Sequence, residues 1–498
     1  MATQHPDNAA APAWLSAGGG FIDTRHEIEE CYRSFAELGC TEYMWDWEGK
    51  HVDEAVIERL LEKHHAFFSR HQLGQELFLT YRLPNVWVEK GYRIARAFAS
   101  IISANDVARE ARLHVPPVFE CILPMTTTGT QPFLVRRQYA AIAKAFGGQE
   151  ISKAFALEKV GPADVRVIPL IEHPDNLIAA DKILGDYAAA CRTARLPLDY
   201  LRVFIARSDP ALNMGLASAV IASKAALARC AEFEEKTGIP VHPMIGVGCL
   251  PFRGGLSPES AAEFAKMHGG THTYSIQSAF RYDYPEKDVK KAVAFLNGLP
   301  KRHSRDSFDY RKLSKLSGIF AKHYRHAIEG AAATINKAAA FTPGRRERKL
   351  HIGLFGYSRK VGSKALPRAI GFTCAAYSLG VPPELYGTGR GVAEARRTGL
   401  GGDLEQFWPL LRSNIISAGH YLNKENLAML AATGNASWKG VREDVRLLED
   451  FLGEPLGPLD EDHFVHRNLT SNIFMLLRKG RDCKEDVVRA AQVRKSVG

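Results

Sequence analysis

Short, almost wholly apolar runs alternate along this chain with longer amphipathic stretches, a pattern typical of βα units. Eight of these runs have the length and composition of strands in a parallel sheet that is buried on both faces. Strands joined in this way by helices predict an α/β fold, a (β/α)8 TIM-type barrel heavily elaborated with additional α-helices. The eight runs are TEYMWDW (41–47), LFLTYRL (77–83), VFECILPM (118–125), VRVIPLIE (165–172), LRVFIARS (201–208), VHPMIGVG (241–248), THTYSIQS (271–278) and LHIGLFGYS (350–358).

The helical stretches set the predicted domain organisation. The connection at about 285–349 is too long for a simple crossover and predicts a helical insertion. Beyond residue 391 the strand pattern fades, and Leu and Ala recur at helical spacing. We therefore expect residues 1–391 to form the barrel with the catalytic site. Residues 392–498 are expected to be a helical C-terminal extension packed on the barrel, not an independent domain.

Composition bounds the class of protein. The 498 residues are 46% hydrophobic and 24% charged, which is typical of a soluble globular protein with a large core. No apolar run is long enough to cross a bilayer, and the first 20 residues lack the features of a secretory signal. Eight scattered cysteines without a C-x-x-C pair favour reduced, mostly buried thiols. We therefore expect a cytoplasmic protein without a membrane partner.

The formal net charge of +10 has two interpretations. A basic protein can bind nucleic acid, or it can gather arginines where small anions bind. The densest basic run, GRRERK at 344–349, is interpreted as a solvated linker, as most charge runs are. No nucleic-acid motif or aromatic-rich basic stretch accompanies it. A basic nucleic-acid-binding protein is therefore the less favoured class, and no nucleic acid is expected as a partner.

Several predicted strands end in a residue that carries charge. The fourth and fifth lead to Glu172 and Asp209, and the segments after the sixth and seventh reach Arg253 and Arg281. Barrel enzymes build their sites at the C-terminal ends of strands, so these side chains can line one mouth. Two neighbouring carboxylates suit Mg²⁺ or Mn²⁺, and arginines suit a phosphate or a carboxylate. Together they indicate a divalent metal that holds an anionic substrate.

Each of these residues also has a plainer interpretation. A strand-end acid can cap the following helix, which the sequence SDP makes credible for Asp209. Arg253 stands beside two glycines that let backbone approach a ligand, but it can instead pair with a surface acid. Four further arginines can form ordinary salt bridges, namely Arg82, Arg281, Arg359 and Arg368.

The first ten residues contain one candidate, His5. A histidine so close to the start of the chain would normally belong to a disordered tail. However, Pro6 stiffens the chain, and Asp7 and Asn8 favour a defined turn. Composition leaves both interpretations of His5 open.

Eight motifs in order along the chain resemble the short, archaeal-type phosphoenolpyruvate carboxylases. They are ATQHPDN, MWDWEGK, IPLIE, ARSD, LPFRGG, QSAFRYD, HIGLFGYSR and PRAIGFT…YSLGVPPELYG, between residue 2 and about residue 390. The resemblance implies a lyase that forms oxaloacetate and phosphate from phosphoenolpyruvate and bicarbonate, with Mg²⁺ (or Mn²⁺), on a barrel surrounded by helices. It also implies a homotetramer. The alternative is another metal-dependent barrel lyase or aldolase that acts on a 2-oxo acid.

The resemblance extends to the longer carboxylases and implies individual roles. TQHPDN is similar to their catalytic T-A-H-P-T-E segment, and IPLIE and ARSD are similar to their metal-binding segments. FRGG and PRAI look like their arginine-bearing segments, as does SRK, and two looser matches complete the set. The implied catalytic residues are His5, Arg253 and Arg368, the implied metal ligands are Glu172 and Asp209, and the implied substrate-binding residues are Arg82, Arg281 and Arg359.

The chain departs from the longer carboxylases in two places. Leu212 stands where they have a lysine, three residues after the metal aspartate. IGVGCL stands where they have a first R-G-G, so other cations must complete the phosphate clamp. The final SVG is similar to their glycine-ending terminus, which implies that it folds back toward the site.

Overall fold

A single parallel sheet organises the first half of the protein. The computed structural model describes residues 1–15, 21–89, 92–148, 161–300, 304, 306–347, 359–361 and 364–498. Seven strands pair in chain order, each with the next. They are β1 (Glu42–Asp46), β2 (Phe78–Arg82), β3 (Glu120–Leu123), β4 (Arg166–Ile171), β5 (Leu201–Ala206), β6 (Val241–Gly246) and β7 (Thr273–Tyr274). The first seven predicted strands are thus confirmed, and the eighth, residues 350–358, lies outside the described residues.

The register of the strands brings their C-terminal ends to one rim. β1 and β2 pair from Glu42–Phe78 to Asp46–Arg82, and β5 and β6 pair from Leu201–Val241 to Ala206–Gly246. Residues that follow these ends therefore emerge side by side. This geometry explains why charged residues far apart in sequence meet at one place.

The N-terminal residues join the two outer strands of this sheet. Ala2 forms parallel bridges with Tyr43 of β1 and with Ile276, just after β7. The amide of Ala2 donates to the carbonyl oxygen of Glu42 at 2.8 Å, and the amide of Thr3 donates to the carbonyl oxygen of Ile276 at 3.0 Å. Because the bridges are parallel, the residues that follow Thr3 leave the sheet at the rim where the strands end.

Helices cover the sheet and predominate among the described residues after β7. A short antiparallel pair, β8 (Arg359–Val361) and β9 (Lys364–Leu366), lies between two of them. The described helices are α1 (Glu27–Ala36), α2 (Val56–Phe68), α3 (Arg93–Glu110), α4 (Thr130–Gly147), α5 (Pro174–Ile178), α6 (Ala180–Thr193), α7 (Ser208–Met214), α8 (Leu216–Thr237), α9 (Ala261–Met267), α10 (Ser278–Tyr282), α11 (Glu286–Gly298), α12 (Tyr310–Ala339), α13 (Ala369–Ser378), α14 (Thr388–Arg397), α15 (Gly401–Phe407), α16 (Leu411–Gly419), α17 (Lys424–Ala432), α18 (Ala436–Leu452), α19 (Glu461–Arg478) and α20 (Lys484–Val493).

Apolar side chains form an inner layer, an outer layer and a helical core. The inner layer includes Ile168, Phe204 and Met244, which alternate along their strands with outward residues that pack on the helices. The helical core centres on α12, which begins at the N-cap Asp309 and buries a residue at every third or fourth position. None of the described helices is long and apolar enough to cross a membrane.

Candidate active site

A cavity of about 250 Å³ opens at the rim where the parallel strands end. Its floor is made by apolar residues of β4 and β5, and its walls come from strand ends, the N-terminal residues, residues 342–346 and the start of α13. Its charged and titratable lining residues are His5, Glu48, Arg82, Glu172, Arg207, Asp209, Arg253, Arg345, Arg346 and Arg368. Six of the eight residues that the sequence predicted for the site are therefore brought together here.

Glu172 and Asp209 reach the cavity from neighbouring strands. Glu172 directly follows β4, and Asp209 lies in the first turn of α7, directly after β5. β4 and β5 pair at Leu170–Phe204 and Ile171–Ile205, so both carboxylates leave the sheet at the same rim. The negative charge of Glu172 acts to raise the pKa of Arg82, and that of Asp209 acts to raise the pKa of Arg253.

This donor set fits a hard divalent cation. Mg²⁺ is usually held by one or two carboxylates, and water and substrate oxygens complete its coordination. Two carboxylates from adjacent strands meet that need. No group of three or more His, Cys, Asp or Glu side chains in the described part of the chain forms a full protein cage, which is the arrangement that suits other metals.

Arg82 lines the cavity, but other protein groups already bind its guanidinium. Nε and Nη2 donate to the two carboxylate oxygens of Asp46 at 2.8 and 2.6 Å, and Nη1 lies 3.0 Å from Glu48. Burial acts to lower the pKa of Arg82, but Asp46 and Glu48 together raise it well above its usual range. Its charge is therefore compensated within the protein.

Arg253 is buried and is held by several groups. Its Nε donates to the hydroxyl of Ser208 at 2.9 Å, Nη1 to a main-chain oxygen of Gly498 at 2.6 Å and Nη2 to Oε1 of Gln277 at 2.6 Å. The nearest carboxylate in an ion pair is Asp7, 3.8 Å from Nη1. Burial lowers the pKa of Arg253 and outweighs the opposing effects of Asp7 and Asp209. The expected return of the final residues to the site is confirmed by the contact with Gly498.

The turn that carries Arg253 is fixed by its neighbours. The amide of Phe252 donates to Glu384, a buried carboxylate in the turn Pro383–Leu385, at 2.8 Å. Gly254 has φ +134°, and a Cβ at that position would lie 2.5 Å from Cγ1 of Val247. Only glycine fits there, which accounts for the first glycine of FRGG.

His5 reaches the cavity because the N-terminal residues bond to the sheet. Its Nδ1 lies 3.0 Å from the hydroxyl of Thr3, a fully buried residue. Its carbonyl oxygen accepts from the amides of Asp7 and Ser278. A disordered tail, one of the two interpretations of this histidine, is thus wrong.

Comparison with known proteins indicates the same family as the motifs do. The sequence model of a family described as phosphoenolpyruvate carboxylase matches residues 1–498. The phosphoenolpyruvate carboxylase of Metallosphaera sedula is 37% identical over 513 aligned residues, which cover 100% of this chain and 99% of that protein. Its counterpart from Pyrococcus horikoshii is 42% identical over 393 residues, 78% of this chain and 81% of that protein. That of Oenococcus oeni is 37% identical over 480 residues, 95% and 93% of the two chains.

This chain belongs to the phosphoenolpyruvate carboxylase family. The resemblance that the ordered motifs carry is confirmed. The family does not by itself assign a role to each arginine.

Arg281 lies outside the lining of the cavity. It is buried beneath the rim, where Nη2 lies 3.0 Å from Glu30 and also donates to the carbonyl oxygen of Thr3 at 2.7 Å. Its contacts are with the protein and not with the space where substrate would bind. Arg359 begins β8, and its side chain lies outside the described part of the chain.

Two arginines of the GRRERK run line the cavity, so the interpretation of that run as a solvated linker is wrong for them. Arg345 and Arg346 are 8% and 3% exposed and line the cavity. Arg345 donates to the carbonyl oxygens of Asn8 and Ala9 at 3.0 and 2.6 Å. Arg346 pairs with buried carboxylates of α1 at 2.7–2.9 Å. These partners are more than 300 residues away in sequence, so the local charge pattern gave no sign of them.

Arg207 is a further cavity residue that sequence reasoning did not single out. It is 1% exposed, and within the described part of the chain neither Nε nor Nη1 has a hydrogen-bond partner. Burial lowers its pKa to about 9. Arg207 lies between the end of β5 and Asp209 in the motif ARSD, and this position could have indicated that it belongs to the site.

Proposed function

We propose that this protein catalyses the carboxylation of phosphoenolpyruvate by bicarbonate to give oxaloacetate and phosphate. The observation that supports this activity most directly is the pair of carboxylates, Glu172 and Asp209, facing a cavity lined by six arginines. Acids of this kind suit a divalent metal, and the arginines suit a substrate that carries both a phosphate and a carboxylate. Membership of the family supplies the reaction.

Glu172 and Asp209 would hold Mg²⁺ (or Mn²⁺). When bound, the ion supplies positive charge that orients phosphoenolpyruvate and stabilises the enolate of pyruvate. Both residues lie at the same rim as the arginines, so the anionic groups of one substrate fall within reach of both sets.

The arginines act on the phosphoryl group. Arg253 and Arg368 neutralise its charge while an oxygen of bicarbonate attacks phosphorus and the bond to the enol oxygen breaks. The products of this step are carboxyphosphate and the enolate. Arg253 lies on a fixed turn during this step, because Glu384 and Gly254 hold the backbone on either side of it.

His5 acts in the second half of the reaction. Carboxyphosphate must lose the proton of its carboxyl group as it breaks into CO₂ and phosphate, and an imidazole at the rim accepts that proton or stabilises the intermediate. The enolate carbon then attacks CO₂ to give oxaloacetate. Water must be excluded, since protonation of the enolate gives pyruvate instead.

The finer structural assignments belong to the same proposal. The N-terminal residues bond to both β1 and the segment after β7, which supports a closed barrel in which they stand beside the first and last strands. We further assign residues 392–498 to a helical extension of that barrel, the assembly to a homotetramer and the location to the cytoplasm. Arg82 and Arg359 stay in the proposed substrate set, and Arg281 is left out because it does not line the cavity.

The test couples oxaloacetate to malate dehydrogenase and omits phosphoenolpyruvate, bicarbonate or divalent metal in turn. All three omissions should abolish the signal, whereas an aldolase or another lyase would not need bicarbonate. Glu172→Gln and Asp209→Asn should each lower activity at least about 100-fold, since metal-borne charge stabilisation is worth several kcal/mol.

Asp175→Asn is the matched control. Asp175 follows the same strand as Glu172, but its side chain is 72% exposed and it does not line the cavity. This variant should keep full activity. Full metal-dependent activity in the Glu172 variant would reject the metal assignment.

A further inference from the structure

The N-terminal segment, residues 1–10, lies along one continuous stretch of the protein, residues 274–283. We call this stretch the cradle. Backbone hydrogen bonds join the two at every second residue over the first half of the segment. The amine of Met1 donates to the carbonyl oxygen of Tyr274 at 2.9 Å, and the backbone pairs Ile276–Met1, Thr3–Ile276 and Ser278–His5 follow at 2.8, 3.0 and 3.3 Å.

Hydrogen bonds from the cradle fix the segment on both sides of His5. Upstream, Arg281 donates to the carbonyl oxygen of Thr3 at 2.7 Å. Downstream, the amide of Ala279 donates to Oδ1 of Asp7 at 2.8 Å. The role of the QSAFRYD motif is thus found in contacts to the segment that carries the histidine.

Asp283 makes the last and most complete of these contacts. The amide of Ala9 donates to Oδ2 and the amide of Ala10 to Oδ1, each at 2.7 Å. Both carboxylate oxygens are thus used by adjacent backbone amides, and both bonds are strengthened by the negative charge. Arg345 holds the opposite side of the same two peptide units through the carbonyl oxygens of Asn8 and Ala9.

The charged residues Asp7 and Arg345 act in opposite directions on the pKa of Asp283. Burial raises the pKa of Asp283 to about 7, with a further increase from Asp7 and a decrease from Arg345. The two backbone donors also favour the charged form. The downstream end of the segment is anchored by the two hydrogen bonds from Ala9 and Ala10 to this carboxylate, so replacing the carboxylate removes that anchor.

We infer that Asp283 is a positioning residue for His5, which it places by anchoring the N-terminal segment against the cavity. This inference rests on the proposed function and on the proposed role of His5 in the second half of that reaction. Asp283 does not line the cavity, and its hydrogen bonds within the described part of the chain are with the amides of Ala9 and Ala10 and not with the proposed metal ligands or Arg253. Its effect must therefore pass through the segment.

The inference predicts a change of product and not only a loss of rate. If His5 is displaced, bicarbonate still attacks phosphorus, because that step uses Arg253, Arg368 and the carboxylates. Carboxyphosphate then reacts with water to return bicarbonate and phosphate, and the enolate takes up a proton to give pyruvate. The net reaction becomes hydrolysis of phosphoenolpyruvate to pyruvate and phosphate.

Asp283→Asn tests this with the full-length protein. The amide keeps the size of the side chain, but its NH₂ group faces one of the two backbone amides, so one bond is lost. The ratio of pyruvate (measured with lactate dehydrogenase) to oxaloacetate (measured with malate dehydrogenase) should rise at least about tenfold, the factor for losing one hydrogen bond to a charged group. Asp288→Asn, an exposed acid on the next helix, should leave the ratio unchanged.

Two further variants separate positioning from a general loss of structure. Asp283→Glu keeps the charge and both acceptor oxygens, so it should restore most of the oxaloacetate. In His5→Asn/Asp283→Asn the ratio should equal that of His5→Asn alone, because Asp283 acts through His5. Independent, multiplying effects would overturn the inference, as would an unchanged ratio in Asp283→Asn.

The wild type separates this inference from the proposed function. If it forms no oxaloacetate from phosphoenolpyruvate and bicarbonate, the proposed function fails. If the wild type forms oxaloacetate and Asp283→Asn gives the same ratio of pyruvate to oxaloacetate as the wild type, only the positioning role fails. Hydrogen exchange of residues 1–10 gives a readout without turnover, and faster exchange is expected in Asp283→Asn.

Discussion

Glu384 carries a buried negative charge that the protein only partly compensates. Its side chain is fully buried, and Oε1 accepts from the amide of Phe252 and the hydroxyl of Tyr377, each at 2.8 Å. Oε2 has no hydrogen-bond partner among the described residues. Burial raises the pKa of Glu384 from its ordinary 4.5 to about 7, so the charged form destabilises the folded protein relative to the unfolded chain.

The sign and size of the effect follow from that difference in pKa. Below pH 4.5 the carboxyl is protonated in both states, and no penalty exists. As pH rises to about 7 the unfolded chain loses the proton first, so the free energy of unfolding falls. Above pH 7 both states are charged and the full penalty is present. At about 1.36 kcal/mol for each pH unit between the two pKa values, it amounts to about 3 kcal/mol.

Glu384→Gln should therefore stabilise the protein at high pH. Glutamine keeps an oxygen acceptor for Phe252 and removes the charge, so the free energy of unfolding should rise by up to about 3 kcal/mol at pH 8 and change little near pH 4.5. Urea unfolding of the wild type and the variant across this range measures the difference. Asp283, whose pKa is also about 7, is present in both proteins, so its contribution cancels.

The control is Glu405→Gln, an exposed acid on α15, which should change the free energy of unfolding by no more than about 0.5 kcal/mol. A variant that is less stable than the wild type at pH 8 would refute the reasoning. A stability difference that does not depend on pH would refute it equally, since the penalty arises only when the carboxyl loses its proton.

Two further predictions concern the turn that carries Arg253. Arg253→Ala should lower kcat/KM about 100- to 1,000-fold, the usual loss for one preorganised charge contact, and steady-state kinetics that show a loss of less than about tenfold would contradict its proposed role. Gly254→Ala should lower the free energy of unfolding by about 1–3 kcal/mol, since the new methyl group meets Val247 and the positive φ disfavours alanine. If Gly254→Ala has the same free energy of unfolding in urea as the wild type, the turn relaxes without cost and the prediction is wrong.

The strands and the residues directly after them could be predicted because the signals are local. Seven apolar runs became strands, and a parallel sheet in chain order necessarily brings their ends to one rim. Glu172 and Asp209 needed nothing more than this rule to be placed together. The same rule placed Arg82 at the cavity, but it gave no warning that Asp46 and Glu48 already bind its guanidinium.

What could not be predicted depends on partners far away in sequence. Arg281 follows a strand as Arg253 follows another, yet it turns inward to Glu30 and Thr3. Nothing in the sequence of QSAFRYD distinguishes a substrate arginine from one that binds backbone. The run GRRERK looks solvated by composition, and only the buried carboxylates of α1 and the carbonyl groups of the N-terminal segment account for the burial of Arg345 and Arg346.

The buried arginines near the cavity fall into two groups by the direction of their pKa. Arg82, Arg281 and Arg346 have raised pKa values. Carboxylates outweigh the effect of burial for Arg82 and Arg346, and Tyr282 and Glu30 together outweigh it for Arg281. Arg207, Arg253 and Arg345 have lowered pKa values, since burial is the larger effect for each of them. A lowered pKa means that the protein bears a cost for keeping a cation dehydrated, and a bound anion offsets that cost. The charge of the first group is therefore largely compensated by the protein, whereas burial of the second group favours binding of an anion beside it, which supports the proposed anionic substrate. Sequence position alone would not have separated them.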